Sequence, residues 1–149
     1  MKRVFSIMFA VVILLISCNK QSKQEEYNNY SKNFFSKYET EGVDKAVNYI
    51  FSTNPLINPD DEQIVNLKKD LKEAAGLLGE YSGYGLITTK KATDNYVYCS
   101  YLVRYNRQPL RFSFIYYKPK DKWILHKFTF DNDVEKELES AGTIYFLSN

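Results

Sequence analysis

The chain has 149 residues, 44% of them hydrophobic, which is enough for one domain with a single core. It carries 20 Lys and Arg residues against 18 Asp and Glu, and two of the basic residues, Lys2 and Arg3, lie at the N-terminus. Without these two the charges balance, so the remainder offers no basic field for nucleic acid, and this argues against a nucleic-acid-binding protein.

A short apolar run follows the basic N-terminus and ends at a cysteine. Residues 4–16 are too few and wrongly flanked for a membrane-spanning helix. The motif Leu15-Ile16-Ser17-Cys18 resembles the lipobox of bacterial lipoproteins. This resemblance implies lipid attachment to the Cys18 thiol, removal of residues 1–17 as a signal peptide, and a mature chain that begins at Cys18. The alternatives are an uncleaved N-terminal membrane helix and a plain secretory signal.

An acylated Cys18 with two or more lipid chains would hold the protein stably on a membrane. Asn19 stands where inner-membrane retention signals have aspartate, so the resemblance implies the outer membrane of the cell envelope, with the leaflet left open. With Cys18 in lipid, Cys99 is the one remaining cysteine. No intramolecular disulfide can then form, and the fold must rest on its core.

Polar residues 18–26 predict a tether that holds a domain at residues 27–149 about 25 Å from the lipid. Apolar residues then recur at helical spacing on two helices separated by Gly42. They are Tyr27, Tyr30, Phe34, Tyr38, Val43, Ala46, Val47 and Ile50. A third helix is predicted with Asn58 as N-cap, Pro59 in its first turn and Gly79 at its end.

Beyond Gly79 the hydrophobic period becomes twofold. This predicts antiparallel strands at residues 81–92, 96–105, 110–117 and 123–130. Pairing Tyr105 with Leu110 and Tyr117 with Trp123 defines a register with one apolar, aromatic inner face. The fold class predicted is α+β, with three N-terminal helices on one face of a curled four-stranded antiparallel meander. A short helix is predicted at residues 132–140, and residues 142–149 are left unassigned.

The helices at residues 27–78, the segment Gly79-Glu80-Tyr81-Ser82-Gly83-Tyr84-Gly85, and the hairpin from residues 101–105 to 110–112 carry a second resemblance. Their order and aromatic pattern resemble the cone-shaped α+β fold of the nuclear transport factor 2-like superfamily, as found in small lipoproteins. The resemblance implies a pocket between the concave sheet and the helices. It also implies, for some members, dimerisation through the outer sheet face. Such folds carry many functions.

The candidate pocket is lined by four tyrosines and the only histidine. These residues are Tyr84, Tyr101, Tyr105, Tyr116 and His126. Ring walls with a few hydroxyl groups suit a small apolar ligand, but the same tyrosines could equally be core residues. No acidic residue shares the predicted face of His126, so a catalytic base there has no partner. An isomerase or dehydratase that uses Tyr101, Tyr116 and His126 is the alternative function. No metal site or cofactor is predicted.

The outer face of the predicted sheet carries a candidate interface. Its residues are Tyr98, Ile115, Tyr117, Trp123, Leu125, Arg104 and Arg111. The register sets Arg104 opposite Arg111, which favours a nearby acidic partner unless both side chains extend into solvent. The leading hypothesis is a non-catalytic lipoprotein domain that binds an envelope protein, a second copy of itself or a small apolar ligand. A structural component of the envelope is a third hypothesis.

Overall fold

The computed structural model describes residues 26–139. The predicted signal peptide at residues 1–17, Cys18, nearly all of the tether, and residues 140–149 lie outside the described residues. Within the described part, three helices precede a four-stranded antiparallel sheet. The predicted α+β class with this order of elements is confirmed.

Two glycines set the limits of the helices. The helices are α1 (Glu26–Glu41), α2 (Val43–Ser52) and α3 (Glu62–Leu78). Gly42 separates α1 from α2 at a φ of 86°, and Gly79 ends α3 at a φ of 87°. Both values lie in the region that glycine adopts without the steric cost of a Cβ atom. Both breaks agree with the sequence prediction.

The start of α3 differs from the prediction. Its N-cap is Asp61, whose side chain accepts a hydrogen bond from the Gln63 backbone N–H at 2.9 Å. Asn58, the predicted cap, instead accepts from the Asp60 N–H at 3.1 Å and closes a turn that precedes the helix. Asn and Asp serve equally in caps and turns, so the local pattern does not separate the two positions.

The sheet is a meander in which the strands pair in chain order. The strands are β1 (Tyr81–Thr93), β2 (Tyr96–Tyr105), β3 (Leu110–Tyr117) and β4 (Ile124–Asp131). Leu110 lies opposite Val103 and not, as predicted, opposite Tyr105. The residues after β2 are drawn toward the start of β1, where the Asn106 N–H donates to the Glu80 carbonyl at 3.1 Å. Because this shift is an even number of residues, β2 and β3 keep their predicted faces.

A β-bulge at His126 exchanges the faces of part of β4. Tyr116 pairs with Leu125 while the residue before Tyr116 pairs with Lys127, so His126 is an extra residue in the strand. As a result Trp123 and Leu125 are buried at 4% and 0% exposure, and His126 is exposed. The predictions that placed Trp123 and Leu125 outside and His126 inside are wrong for this reason.

Aromatic rings from α1 pack on the inner face of the sheet. Phe34 and Phe35 are fully buried, and the Phe34 ring centroid lies 5.1 Å from that of Phe114 and 5.3 Å from that of Phe128. Phe112 is also buried, with its ring centroid 5.6 Å from that of Phe128. The prediction that Phe112 and Phe128 are buried neighbours is confirmed.

The outer face of the sheet meets a helical segment at residues 134–139. Glu137 of this segment accepts a hydrogen bond from Ser100 Oγ at 2.7 Å and lies 3.7 Å from Arg111. The Arg111 guanidinium also donates to both carboxylate oxygens of Asp131, at 2.9 and 2.8 Å. The predicted C-terminal helix is thus present over these residues, and its Glu137 carboxylate contacts the sheet.

Candidate functional site

The tyrosines predicted to line a pocket belong to the packed core. Tyr101, Tyr105 and Tyr116 are buried, and Tyr84 is half-buried with its ring stacked on that of Phe35 at 3.8 Å. These rings occupy the space between helices and sheet in which the resemblance implies a pocket. They act as core residues, which was the alternative interpretation of the same tyrosines.

Two tyrosine hydroxyls of this aromatic core are hydrogen-bonded to side chains of α1. Tyr116 shares a hydrogen bond of 2.8 Å with Ser31, and Tyr105 shares a short one with Tyr38. Burial raises the pKa of Tyr101 to about 12 and raises the pKa of Tyr116 well above its ordinary value. Both shifts make deprotonation of these hydroxyls less favourable than for a free tyrosine, so neither hydroxyl is suited to act as a base.

His126 lies apart from the buried tyrosines. Its side chain lines a groove of about 390 Å³ between α3 and β4, together with Asp61 and Lys127. Within residues 26–139, no carboxylate oxygen approaches the His126 nitrogens to within 4.0 Å. Two members of the suggested catalytic set, Tyr101 and Tyr116, are inside the core while His126 is outside it. The structure does not bring the three together.

A larger groove, of about 730 Å³, opens where α1 begins, and we name it the Trp123 groove. Its walls come from the start of α1, the end of α2 and the turn between β3 and β4. Three aromatic rings line it, those of Tyr30, Tyr49 and Trp123, and the exposed Lys120 and Lys122 line it as well. Aromatic walls with a few charged groups are typical of binding clefts.

Glu26 connects two walls of the Trp123 groove. One of its carboxylate oxygens accepts from the Tyr30 hydroxyl at 2.5 Å, and the other accepts from the Trp123 backbone N–H at 3.3 Å. Burial and the Glu26 carboxylate both raise the pKa of Tyr30. The Trp123 ring packs edge-on against Tyr27 at 5.0 Å, and Lys118 Nζ lies 5.7 Å from its centroid. These contacts hold the first turn of α1 against the turn between β3 and β4.

Sequence periodicity gives no indication of the Trp123 groove. Glu26 and Trp123 meet across 97 positions of the chain, a separation at which no local pattern links them. Unbroken alternation along β4 would also place Trp123 on the outer face. The one local signal is the stretch Lys118-Pro119-Lys120-Asp121-Lys122, which is longer and more basic than a tight hairpin turn requires.

The apolar part of the predicted interface is smaller than the sequence suggested. Trp123 and Leu125 have moved to the core, because of the bulge described above. Tyr98 and Ile115 remain on the outer face and are half-buried, while Tyr117 is 41% exposed. Three residues of the original five therefore face outward.

The two arginines of that interface do not oppose each other. Arg111 lies opposite Leu102 and is occupied by its ion pairs. Arg104 donates to the Ser82 carbonyl at 3.1 Å and passes over Gly83, where a Cβ atom would lie 2.6 Å from a guanidinium nitrogen. The predicted repulsion, and the need for an acidic partner to relieve it, are absent from this pair because the register differs by two residues from the predicted one.

A metal site, a membrane-spanning helix and a similarity to known proteins would each point to a function. Within residues 26–139, no three side chains of the His, Cys, Asp and Glu types are grouped in a way that could hold a metal ion. None of the helices in that range combines the length and apolar character needed to cross a bilayer. Comparisons of the chain with protein-family models, curated proteins and solved structures found no match.

Proposed function

We propose that the chain is a lipid-anchored protein of the cell envelope, held in the outer membrane through acylated Cys18, and that its domain binds a ligand or partner without catalysis. The lipobox resemblance of residues 15–18 supports the anchor. The Trp123 groove is the observation that carries the binding role, because it is an open, aromatic-lined cleft on the described domain. The burial of Tyr101 and Tyr116 in the core, where the Tyr116 hydroxyl is paired with Ser31, favours binding over catalysis.

We also propose that the domain belongs to the nuclear transport factor 2-like superfamily. The order of three helices and four antiparallel strands supports this, as does the packing of α1 on one sheet face. In this proposal the interior of the cone is filled with aromatic rings, and the Trp123 groove at one end of the domain takes the place of a central pocket.

Replacing Cys18 by serine should abolish membrane anchoring, because the thiol is the acylated atom in this proposal. We expect the wild-type protein in the detergent phase of a phase-separation assay and the Cys18→Ser variant in the aqueous phase. Cys99→Ser is the matched control, since Cys99 is buried in the sheet and should leave partitioning unchanged. Equal partitioning of Cys18→Ser and wild-type protein would refute the anchor.

Filling the Trp123 groove should remove whatever it binds. Ser52 is exposed and lines the groove, so Ser52→Trp places a large ring in it, whereas Ser36→Trp adds the same ring at an exposed position of α1 that does not line it. Native mass spectrometry of protein extracted from membranes should show a bound ligand, a partner or a dimer for wild type and Ser36→Trp, and the bare monomer for Ser52→Trp. A wild-type protein that is bare and monomeric would contradict the binding role.

A further inference from the structure

One end of the domain concentrates lysines in a short turn. We name the turn at residues 118–123, together with the first turn of α1, the lysine end. Lys120 and Lys122 are exposed, and within residues 26–139 no carboxylate oxygen lies within 4.0 Å of either ammonium group. Together with Lys118, they outnumber the two acids of this end, Asp121 and Glu26. The lysine end therefore carries a positive charge that is free to attract an anionic surface.

The opposite end of the domain carries acids and bases in equal number. Glu39 and Glu41 lie at the end of α1, and Glu80 precedes β1. Burial and then the charge of Glu39 raise the pKa of Tyr81, at the start of the sheet, to about 12, while the charge of Arg104 acts in the opposite direction. Three bases balance these acids: Arg104, Arg107 at the β2–β3 turn, and Lys37, which pairs with Glu41 at 2.8 Å. The excess of positive charge at the lysine end thus has no counterpart at this end.

The chain that leads to Cys18 departs from the lysine end. Glu26 is the first described residue, and its carboxylate accepts from the Trp123 backbone N–H at 3.3 Å. Glu26 follows Cys18 by eight positions, a reach of at most about 29 Å at full extension. An anchor at Cys18 would therefore keep the lysine end, and not the opposite end, close to the lipid headgroups. Each lysine that lies within a Debye length of an anionic bilayer raises the constant for binding to that surface by about fivefold.

We propose that the lysine end docks on the anionic phospholipid surface of the membrane that holds the chain, with Lys118, Lys120 and Lys122 against the headgroups. The Trp123 groove, which Lys120 and Lys122 also line, then opens toward the lipid. This inference rests on the proposed anchor at Cys18 for its placement, but the docking itself depends on the charges of the described domain.

Docking can be measured on a chemically attached protein, so that the outcome does not depend on cellular lipidation. The chain from Cys18 to Asn149 contains every described residue, and its Cys18 thiol can be coupled to a maleimide-headgroup lipid in vesicles. Cys99 should not couple, because it is buried and burial raises the pKa of its thiol to about 11. Acylation of individual lysines by an amine-reactive reagent is then read by peptide mass spectrometry on phosphatidylglycerol and on phosphatidylcholine vesicles.

On phosphatidylglycerol we expect Lys120 and Lys122 to react at least about fivefold more slowly than on phosphatidylcholine, and we expect high salt to remove the difference. Lys45 and Lys69, exposed on α2 and α3, should react equally on both. Equal reactivity of Lys120 and Lys122 on the two lipids, or selective protection of Lys45 and Lys69, would overturn the proposal.

A pair of charge-reversed variants gives a second, independent measurement. Lys120→Glu combined with Lys122→Glu should abolish the protection of Lys118, whereas Lys45→Glu combined with Lys69→Glu makes the same change in net charge and should retain it. Retained protection in the first variant would count against docking. Failure of the anchor in cells, seen as unchanged partitioning of Cys18→Ser, would leave both vesicle results standing and so is distinguishable from failure of docking.

Discussion

Replacing Trp123 by alanine should lower the free energy of unfolding by about 3–5 kcal/mol, the usual cost of removing a large buried aromatic side chain. The ring is 4% exposed and packs edge-on against Tyr27 at 5.0 Å. Its removal leaves a cavity between the first turn of α1 and the start of β4. Urea denaturation monitored by circular dichroism measures the loss of unfolding free energy.

Tyr117 provides the matched control for Trp123. It lies at the other side of the same turn and is 41% exposed, so Tyr117→Ala should cost about 1 kcal/mol or less. The contrast tests the bulge at His126, because unbroken alternation would place Trp123 outside. If Trp123→Ala had no effect on the unfolding midpoint, the bulge and the burial that follows from it would both be refuted.

Phe112→Ala and Phe128→Ala should each cost about 3–5 kcal/mol of stability. Phe112 is fully buried and Phe128 is 4% exposed, and their ring centroids lie 5.6 Å apart. Because the two rings touch, the loss in the double variant should differ from the sum of the single losses by about 0.5 kcal/mol or more. Equilibrium denaturation of the wild type, the two single variants and the double variant, which form a double-mutant cycle, measures the coupling energy between the two rings.

The control cycle joins Phe112→Ala with Tyr117→Ala. These two residues share no ring contact among those of the described aromatic side chains, so their losses should add. Additive losses in the Phe112 and Phe128 cycle, or negligible losses in both single variants, would mean that β3 and β4 do not pack their phenylalanines on the same face.

Much of the fold follows from periodic patterns that the sequence displays openly. Helical spacing around Phe34 and Ile50, and the breaks at Gly42 and Gly79, predicted the helices. Strict alternation in β2 and β3 predicted which apolar and aromatic side chains are buried, even though the assumed register was two residues out. An even slip leaves faces unchanged, which is why that error had no effect on the core.

The errors arise where a single residue or a distant segment decides the outcome. One extra residue at His126 turns Trp123 and Leu125 inward, and no feature of residues 123–130 indicates where a strand will bulge. The prediction of a tyrosine pocket was wrong for another reason. A tyrosine that lines a cavity and a tyrosine that fills it occur in the same alternating sequence pattern. The Trp123 groove could not be predicted because it depends on the contact of Glu26 with Trp123, at the distant turn between β3 and β4.

The ion pairs of Arg111 indicate where the domain ends. Its guanidinium is shared between Asp131, on the last strand, and Glu137, on the helical segment after it. A fragment that stops at the end of β4 would keep the arginine and lose one of its two counter-charges, together with the acceptor for Ser100. The boundary of the cooperative domain therefore lies beyond the sheet, and residues 134–139 are part of its architecture and not a terminal appendage.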